Sequence, residues 1–455
     1  MKFAVVTFGC RVNQADSFAI ERGLRAGGGS PAPVEAADVV VVNSCSVTAS
    51  ADQGTRQAIR RIARTNAGAR IVATGCYASR AAEEVAALPG VVAVVPNVEK
   101  EALAERILDS VEPTTAERFG GGAGACGAPI RPGERGRTAY TLRVQTGCDE
   151  ACAYCIIPST RGRGRSVPLP RVLEEVDQAV AAGYRELQLT GVHLGSYGRD
   201  LFPPSSLVAL LRALAAHPGD FLVRMSSLEP MDCTPEVVEL VTGSPRFAPH
   251  FHLPLQHASD AVLRRMRRPY TAAEYRTVIA DIRDRLPHAA IGSDVVVGFP
   301  GETDADAAAT LGFLEESPLT YLHVFPYSDR PGTEASAMSG KVDGRRVRER
   351  ARAVREAGAV LAPRFRAAQV GSVRPGLTLA QGGGTVVLTD NYLRVRVPVD
   401  CPENERVRVR VTAAGETLAG ELVAARPEVA LRVCRRESPA AQVLNPSVRR
   451  GSLHA

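Results

Sequence analysis

The sequence predicts an α/β chain in three parts: an N-terminal doubly wound parallel-sheet domain, a central partial (β/α) barrel and a small C-terminal β-barrel. Three patterns predict it. Short β-branched runs alternate with helical patterns over residues 3–95. The alternation resumes for six strand–helix units between residues 140 and 325, and from residue 370 it gives way to short strands parted by glycine turns. Alternating strands and helices fold as a parallel sheet covered by helices, whereas clustered short strands close on one another.

In the first part, FAVVTF (3–8), ADVVVV (37–42), RIVAT (70–74) and VVAVV (91–95) read as strands. Between them, the segment 57–63 places Ile59, Ile62 and Ala63 on one helical face. The glycine-rich run 120–127 reads as a flexible linker. The second part has candidate strands at 140–145, 186–190, 222–226, 250–253, 291–297 and 321–325, with helices such as 170–182 and 271–286 between them. A charged amphipathic helix is expected over 341–368. Strands at 385–389, 393–397, 406–411 and 417–423 form the third part, and the polar tail reads as disordered. These divisions set domains at 1–112, 134–366 and 367–436, with a linker at 113–133 and a tail at 437–455.

A chain of 455 residues that is 45% hydrophobic can bury several cores. With 23% charged residues, wholesale disorder is excluded. A net charge of +6 is compatible with a polyanionic partner without requiring one. No apolar run is long enough for a transmembrane helix, and MKFAVVTFGC is interrupted too soon for a signal peptide. A cytoplasmic protein away from membranes is expected. There, ten cysteines should serve as thiols or metal ligands, not disulfides.

Cys148-Asp-Glu-Ala-Cys152-Ala-Tyr-Cys155 is the strongest chemical signal. It follows the first barrel strand, and catalytic groups of such barrels stand at the C-terminal ends of strands. Three thiolates can hold three irons of a cubane and leave the fourth open, where the amino and carboxylate groups of S-adenosylmethionine can chelate. The alternative is a structural zinc site, with Asp149 as the fourth ligand.

Cys10, Cys45 and Cys76 form a dispersed second set, as Phe-Gly-Cys, Asn-Ser-Cys and Thr-Gly-Cys. Each follows a predicted parallel strand, and in doubly wound sheets those ends line one crevice. Three matching contexts favour a shared cluster over three unrelated buried thiols. Cys126, Cys233, Cys401 and Cys434 stand singly and read as exposed or packing residues.

The other barrel-strand ends carry cofactor candidates. Gly191 permits close approach of a bulky group, His193 reads as a polar lining residue, and Glu229, Gln256 and Glu302 could hydrogen-bond the cofactor. Turn chemistry alone is the alternative. Arginines cluster at Arg56, Arg60, Arg61 and Arg64, at Arg161, Arg163 and Arg165, and at Arg264, Arg265, Arg267 and Arg268, runs whose usual explanation is a solvated face. Arg394, Arg396, Arg406, Arg408 and Arg410 alternate along strands, which suits a phosphate backbone.

Together these motifs resemble the radical S-adenosylmethionine methylthiotransferases over nearly the whole chain. The matching segments include Gly9-Cys10-Arg-Val-Asn13-Gln14, Asn43-Ser-Cys45, Thr74-Gly-Cys76-Tyr77 and the Cys148/Cys152/Cys155 loop. Thr190-Gly-Val-His-Leu-Gly-Ser-Tyr-Gly198, Ser-Ser-Leu-Glu-Pro and His323-Val-Phe-Pro-Tyr-Ser328 resemble the members that modify N6-threonylcarbamoyladenosine in tRNA.

The resemblance implies two [4Fe-4S] clusters, one radical-generating on Cys148, Cys152 and Cys155 and one auxiliary on Cys10, Cys45 and Cys76. It implies a radical SAM core and a TRAM-like RNA-binding β-barrel. One S-adenosylmethionine would methylate sulfur at the auxiliary cluster. A second would yield a 5′-deoxyadenosyl radical that takes hydrogen from adenine C2, giving the 2-methylthio base. The implied partners are the tRNA anticodon stem-loop and an electron donor such as a flavodoxin or ferredoxin, with the enzyme a monomer. Alternatives are isopentenyladenosine in tRNA, an aspartate of a ribosomal protein, or a non-catalytic iron–sulfur RNA-binding sensor. One departure stands out: Gln256-His257-Ala258-Ser259-Asp260 replaces the usual Gln-Ser-Gly-Ser-Asp, which puts that loop's cofactor contacts in question.

Overall fold

A computed structural model describes residues 1–110, 130–134, 138–381 and 384–423. Most of the expected glycine-rich linker, Cys126, Cys434 and the expected tail lie outside the described residues.

The N-terminal sheet contains β1 (Lys2–Thr7), β2 (Ser30–Pro31), β3 (Val39–Ser44), β4 (Arg70–Gly75) and β5 (Val91–Val95), in the order β2-β1-β3-β4-β5, all parallel. Helices α1 (Arg11–Ala26), α2 (Ala49–Thr65), α3 (Cys76–Arg80), α4 (Ala82–Ala86) and α5 (Leu103–Asp109) cover it. Successive side chains of a strand point to opposite faces. Val40 and Val42 therefore pack with Ile59 and Ile62 of α2, while Val39 and Val41 pack with Ile20 and Leu24 of α1. That two-faced burial is why β3 reads as an unbroken valine run, and it matches the expected doubly wound sheet.

The central region carries β6 (Ala139–Arg143), the short pair β7 (Gln145–Thr146) and β8 (Arg165–Ser166), then β9 (Glu186–Thr190), β10 (Leu222–Met225), β11 (His250–His252), β12 (Ala290–Val297) and β13 (Tyr321–Pro326). Two parallel three-stranded sheets, β10-β9-β6 and β11-β12-β13, are joined through the bridges Val223–Phe247 and Ser227–His252. The result is a six-stranded open barrel. Helices α6 (Ile157–Arg161), α7 (Leu169–Ala181), α8 (Leu207–Ala216), α9 (Pro235–Gly243), α10 (Asp260–Arg265), α11 (Ala272–Arg285), α12 (Asp304–Glu316) and α13 (Glu334–Ala337) accompany it. Capping boxes set the starts of two of them, Thr271 with Glu274 on α11 and Thr303 with Asp306 on α12.

The helix expected over 341–368 is two helices, α14 (Gly344–Ala359) and α15 (Leu361–Ala367). Pro363 explains the break, since it offers no amide hydrogen to continue the ladder. The C-terminal module is a closed barrel of β14 (Val373–Gln381), β15 (Gly384–Thr389), β16 (Arg394–Val397), β17 (Arg406–Ala413) and β18 (Leu418–Leu422). β14 goes unpredicted because Pro375 and Gly376 interrupt its pattern. Gly376 sits where the barrel closes, and a Cβ there would come within 2.5 Å of Val387. No described helix is long and apolar enough to cross a membrane.

Candidate functional site

Cys10 caps the start of α1, Cys45 follows β3 and Cys76 opens α3 directly after β4. Since β1, β3 and β4 are neighbours, the three thiols gather at one end of three adjacent strands. Two glycines let the chain turn there. Gly9 has φ +88°, and a Cβ on it would lie 2.5 Å from the Cys45 Sγ. Gly75 has φ +98°, and a Cβ on it would lie 2.2 Å from the Ser44 carbonyl oxygen. Cys10 is exposed, whereas Cys45 and Cys76 are buried. Burial, with Cys10 and Cys76 nearby, pushes the Cys45 thiol up to about 11.

The second set occupies the loop after β7. Cys148, Cys152 and Cys155 are each half-buried, and Cys155 is pushed up to about 12, chiefly by burial. Backbone bonds staple this loop to the barrel: Ala153 N–H donates to Met266 O at 3.0 Å, and Ala335 N–H donates to Ala153 O at 2.8 Å. Enclosed thiols disfavour their thiolates until a metal supplies positive charge. Three sulfur donors, with backbone turned tightly around them, fit an iron–sulfur cubane that keeps one iron open.

Donors surround both sets. Arg268 Nη1 donates to Cys152 Sγ at 3.1 Å and its guanidinium also pairs with Glu229. Asn97 Nδ2 lies 3.6 Å from Cys76 Sγ, and the Glu150 amide lies 3.4 Å from Cys148 Sγ. Hydrogen bonds of this kind tune iron–sulfur centres.

The candidate cofactor contacts behave differently from one another. Gly191 packs against Gln145 and Leu194, and a Cβ there would be 2.9 Å from Leu194. His193 is buried, its Nε2 is 2.7 Å from Asp232, and it also reaches Cys148. Burial alone would lower its pKa, but these partners raise it to about 10. Gln256 adopts φ +63° at the strand end, pinned by its N–H on Asp294 O at 2.9 Å.

Glu302 turns inward. It accepts from the amides of Gly298 and Phe299 and lies 3.1 Å from Arg350, so it shapes the Gly298–Gly301 turn from beneath. His257 likewise points away from the barrel mouth. Its Nδ1 accepts from the Ser259 amide at 2.9 Å beside Thr310, which absorbs the unusual residue into the α10–α12 packing. Burial holds its pKa down at about 4.

Two arginines of the predicted basic clusters are buried instead of solvated. Arg268 holds Cys152 and Glu229, and Arg161 belongs to a network joining the two cysteine sets. Asp16 on α1 accepts from Lys100 at 3.0 Å, Arg161 at 2.9 Å and Arg143 at 2.8 Å. Arg161 also donates to Asn13 Oδ1 and to Thr146. Burial would raise the Asp16 pKa, but the three cations outweigh it and hold the carboxyl well below the usual range. Arg330 adds a second tie across the same interface, to Asp52 at 2.8 Å and Ser46 O at 2.9 Å.

Sequence reasoning missed the barrel lumen. Apolar residues of the strands join the core against the helices, among them Leu187, Leu189, Val223, Met225, Phe251, Ile291 and Val295. By alternation, Glu186, Gln188, Arg224, His250, His252, Asp294, Tyr321 and His323 face inward. The signal is present in ELQLT, HFH and YLHVF, where every second residue is polar or aromatic, and in the lone Arg224 of LVRM. His252 Nε2 and His323 Nδ1 each lie 3.0 Å from the same Asp294 oxygen. Burial would raise Asp294, but both imidazoles bring it down to about 2. Such barrels are ordinarily filled by branched apolar side chains. This lumen is polar, and it suits a polar guest.

A six-stranded open barrel with a three-cysteine loop at its mouth defines a radical S-adenosylmethionine enzyme. Residues 142–314 match the Radical SAM superfamily, and residues 2–96 match the Uncharacterized protein family UPF0004. Among solved structures, the radical S-adenosylmethionine methyltransferase TsrM from Kitasatospora setae shares the fold, with TM-score 0.54 at 16% identity over 74% of each chain.

The curated relatives narrow the class. The threonylcarbamoyladenosine tRNA methylthiotransferase MtaB of Aquifex aeolicus is 36% identical, over 87% of this chain and 96% of that one. MtaB of Bacillus subtilis is 37% identical, over 74% and 76%. The ribosomal protein uS12 methylthiotransferase RimO of Salinispora tropica is 37% identical, over 77% and 78%. The chain belongs to the radical S-adenosylmethionine methylthiotransferase family.

Proposed function

We propose that this methylthiotransferase acts on N6-threonylcarbamoyladenosine beside the tRNA anticodon and places a methylthio group on adenine C2. The observation that carries the reading is the pairing of two three-thiol sets locked together through Asp16, above a polar lumen. Cys148, Cys152 and Cys155 would hold the radical-generating [4Fe-4S] cluster, and Cys10, Cys45 and Cys76 an auxiliary one. When bound, the clusters and S-adenosylmethionine supply the radical and the sulfur chemistry.

The protein's own part is placement. Arg268 fixes Cys152, the ties of Asp16 and Arg330 fix the spacing of the two sets, and the lumen receives the base once it is splayed from its stack. The first 112 residues would form the auxiliary-cluster domain, 134–366 the radical core and 367–436 the RNA-binding module. Support for that module comes from Arg394, Arg396, Arg406, Arg408 and Arg410, all exposed on the outside of the C-terminal barrel. The names of the Aquifex and Bacillus relatives support the nucleoside.

Mass spectrometry of tRNA nucleosides from a strain lacking the gene tests the substrate. Loss of 2-methylthio-N6-threonylcarbamoyladenosine is expected, and its persistence at wild-type level would remove that substrate. Iron counting tests the clusters. Anaerobically reconstituted protein should hold about eight irons, falling to about four in the Cys10→Ala/Cys45→Ala/Cys76→Ala variant.

A further inference from the structure

Arg11 breaks a local rule. It is the first residue of α1, directly after Cys10, and a cation there opposes the positive end of the helix dipole. No acidic residue stands in that first turn to offset it. Arg11 has no carboxylate partner among the described residues: its contacts are Gln14 Oε1 at 2.9 Å and the Tyr392 hydroxyl at 3.3 Å. Local rules broken without compensation mark functional positions.

Its surroundings give the direction. Tyr392 belongs to the C-terminal barrel and is held at φ +68° with its amide on Thr389 O at 3.0 Å. Its ring meets His250 at 4.8 Å and Arg224 at 5.0 Å, both on the lumen wall. The half-buried Arg11 guanidinium therefore stands where the N-terminal domain, the lumen and the C-terminal barrel meet, one residue from an exposed cysteine. In adenine, C2 and C6 flank N1 on one edge. A base that presents C2 toward Cys10 presents its N6 substituent to the same neighbourhood.

We propose that Arg11, positioned by Tyr392, binds the free carboxylate of the N6-threonylcarbamoyl group and thereby selects this adenosine over ones whose N6 substituent is apolar or absent. The proposal rests on the substrate reading above. Guanidinium and carboxylate match in charge and in fork geometry, whereas an isopentenyl group would leave the cation without a partner.

The test uses full-length, iron-reconstituted wild type, Arg11→Gln and Arg11→Lys. Fluorescence anisotropy measures binding of anticodon stem-loops that carry either N6-threonylcarbamoyladenosine or unmodified adenosine at the same position. Iron content of each variant shows that the Cys10 site is intact. Wild type should prefer the modified stem-loop. Arg11→Gln should weaken that stem-loop about tenfold or more, the loss of one charge-assisted contact, and leave the unmodified one nearly unchanged. Arg11→Lys should fall between. If Arg11→Gln keeps the wild-type preference, or weakens both stem-loops equally, the assignment of Arg11 is overturned while the substrate reading stands. If wild type shows no preference, both fall.

Discussion

Replacing Asp16 by Asn removes the one negative charge at the centre of three buried or half-buried cations. At an effective dielectric of 20, each ion pair at 2.8–3.0 Å contributes about 6 kcal/mol, so the three sum to roughly 17. Repulsion among Lys100, Arg143 and Arg161, together with their desolvation, offsets most of that. The net cost of leaving such a site unpaired is about 3–5 kcal/mol. The introduced carboxamide would also turn an N–H toward donors. Over a cooperative unit of this size, the unfolding entropy converts that cost to a fall in Tm of about 5 °C.

Calorimetry on the cluster-free protein measures it. Arg143→Ala serves as the comparison, since that side chain is 23% exposed and its loss should cost less than 1 kcal/mol or so. A D16N variant that melts within about 1 °C of wild type would refute the reasoning. The pH dependence has a definite sign. Asp16 titrates well below its unfolded value, so its contribution is fully present above about pH 3.9 and is lost progressively as pH falls below that toward the folded value.

Other expectations follow from single contacts. His257 is neutral when folded, with a pKa near 4 against 6.5 unfolded, so the folded state loses up to about 3 kcal/mol between pH 6.5 and pH 4. His257→Ser should flatten that stretch of the stability–pH curve measured by urea melts; an unchanged slope would contradict the buried neutral imidazole. Gly75→Ala places a Cβ against the Ser44 carbonyl at a positive φ. It should lower the iron bound per chain toward the level of the Cys76→Ala variant, and full iron content would count against the tight turn. Replacing Arg394 and Arg408 by Ala should reduce the salt-dependence slope of tRNA binding by about 1–2, as two phosphate contacts are removed. An unchanged slope would place the RNA elsewhere.

Much of this architecture was legible in the sequence, and the reasons are local. The valine run of β3 and the strand-end positions of Cys10, Cys45 and Cys76 depend on period and spacing, which a single chain displays. β14 was hidden because Pro375 and Gly376 serve barrel closure at the expense of strand pattern. The helix over 341–368 was over-extended because amphipathic periodicity continues past a proline that the ladder cannot. Arg161 and Arg268 looked like members of solvated basic runs. Burial of a cation depends on partners distant in sequence, Asp16 for one and Glu229 with Cys152 for the other, and no local pattern displays those. The lumen is readable in the alternation of the strand interiors, which place Glu186, Gln188, Arg224, His250 and His252 on one face.

Helix α1 carries a further consequence. Cys10 at its cap, Asn13 and Asp16 recur every three residues, so a thiol and two anchors share one side of the cylinder. Asn13 grips Ser44 O and Phe8 O at 2.8 Å, and Asp16 grips the barrel's arginines. The helix thus acts as a phase gauge. Inserting one residue after Cys10 would rotate both anchors by about 100° while leaving the cysteine in place. Chain length between Cys10 and Asp16 is therefore fixed as tightly as the anchoring residues themselves.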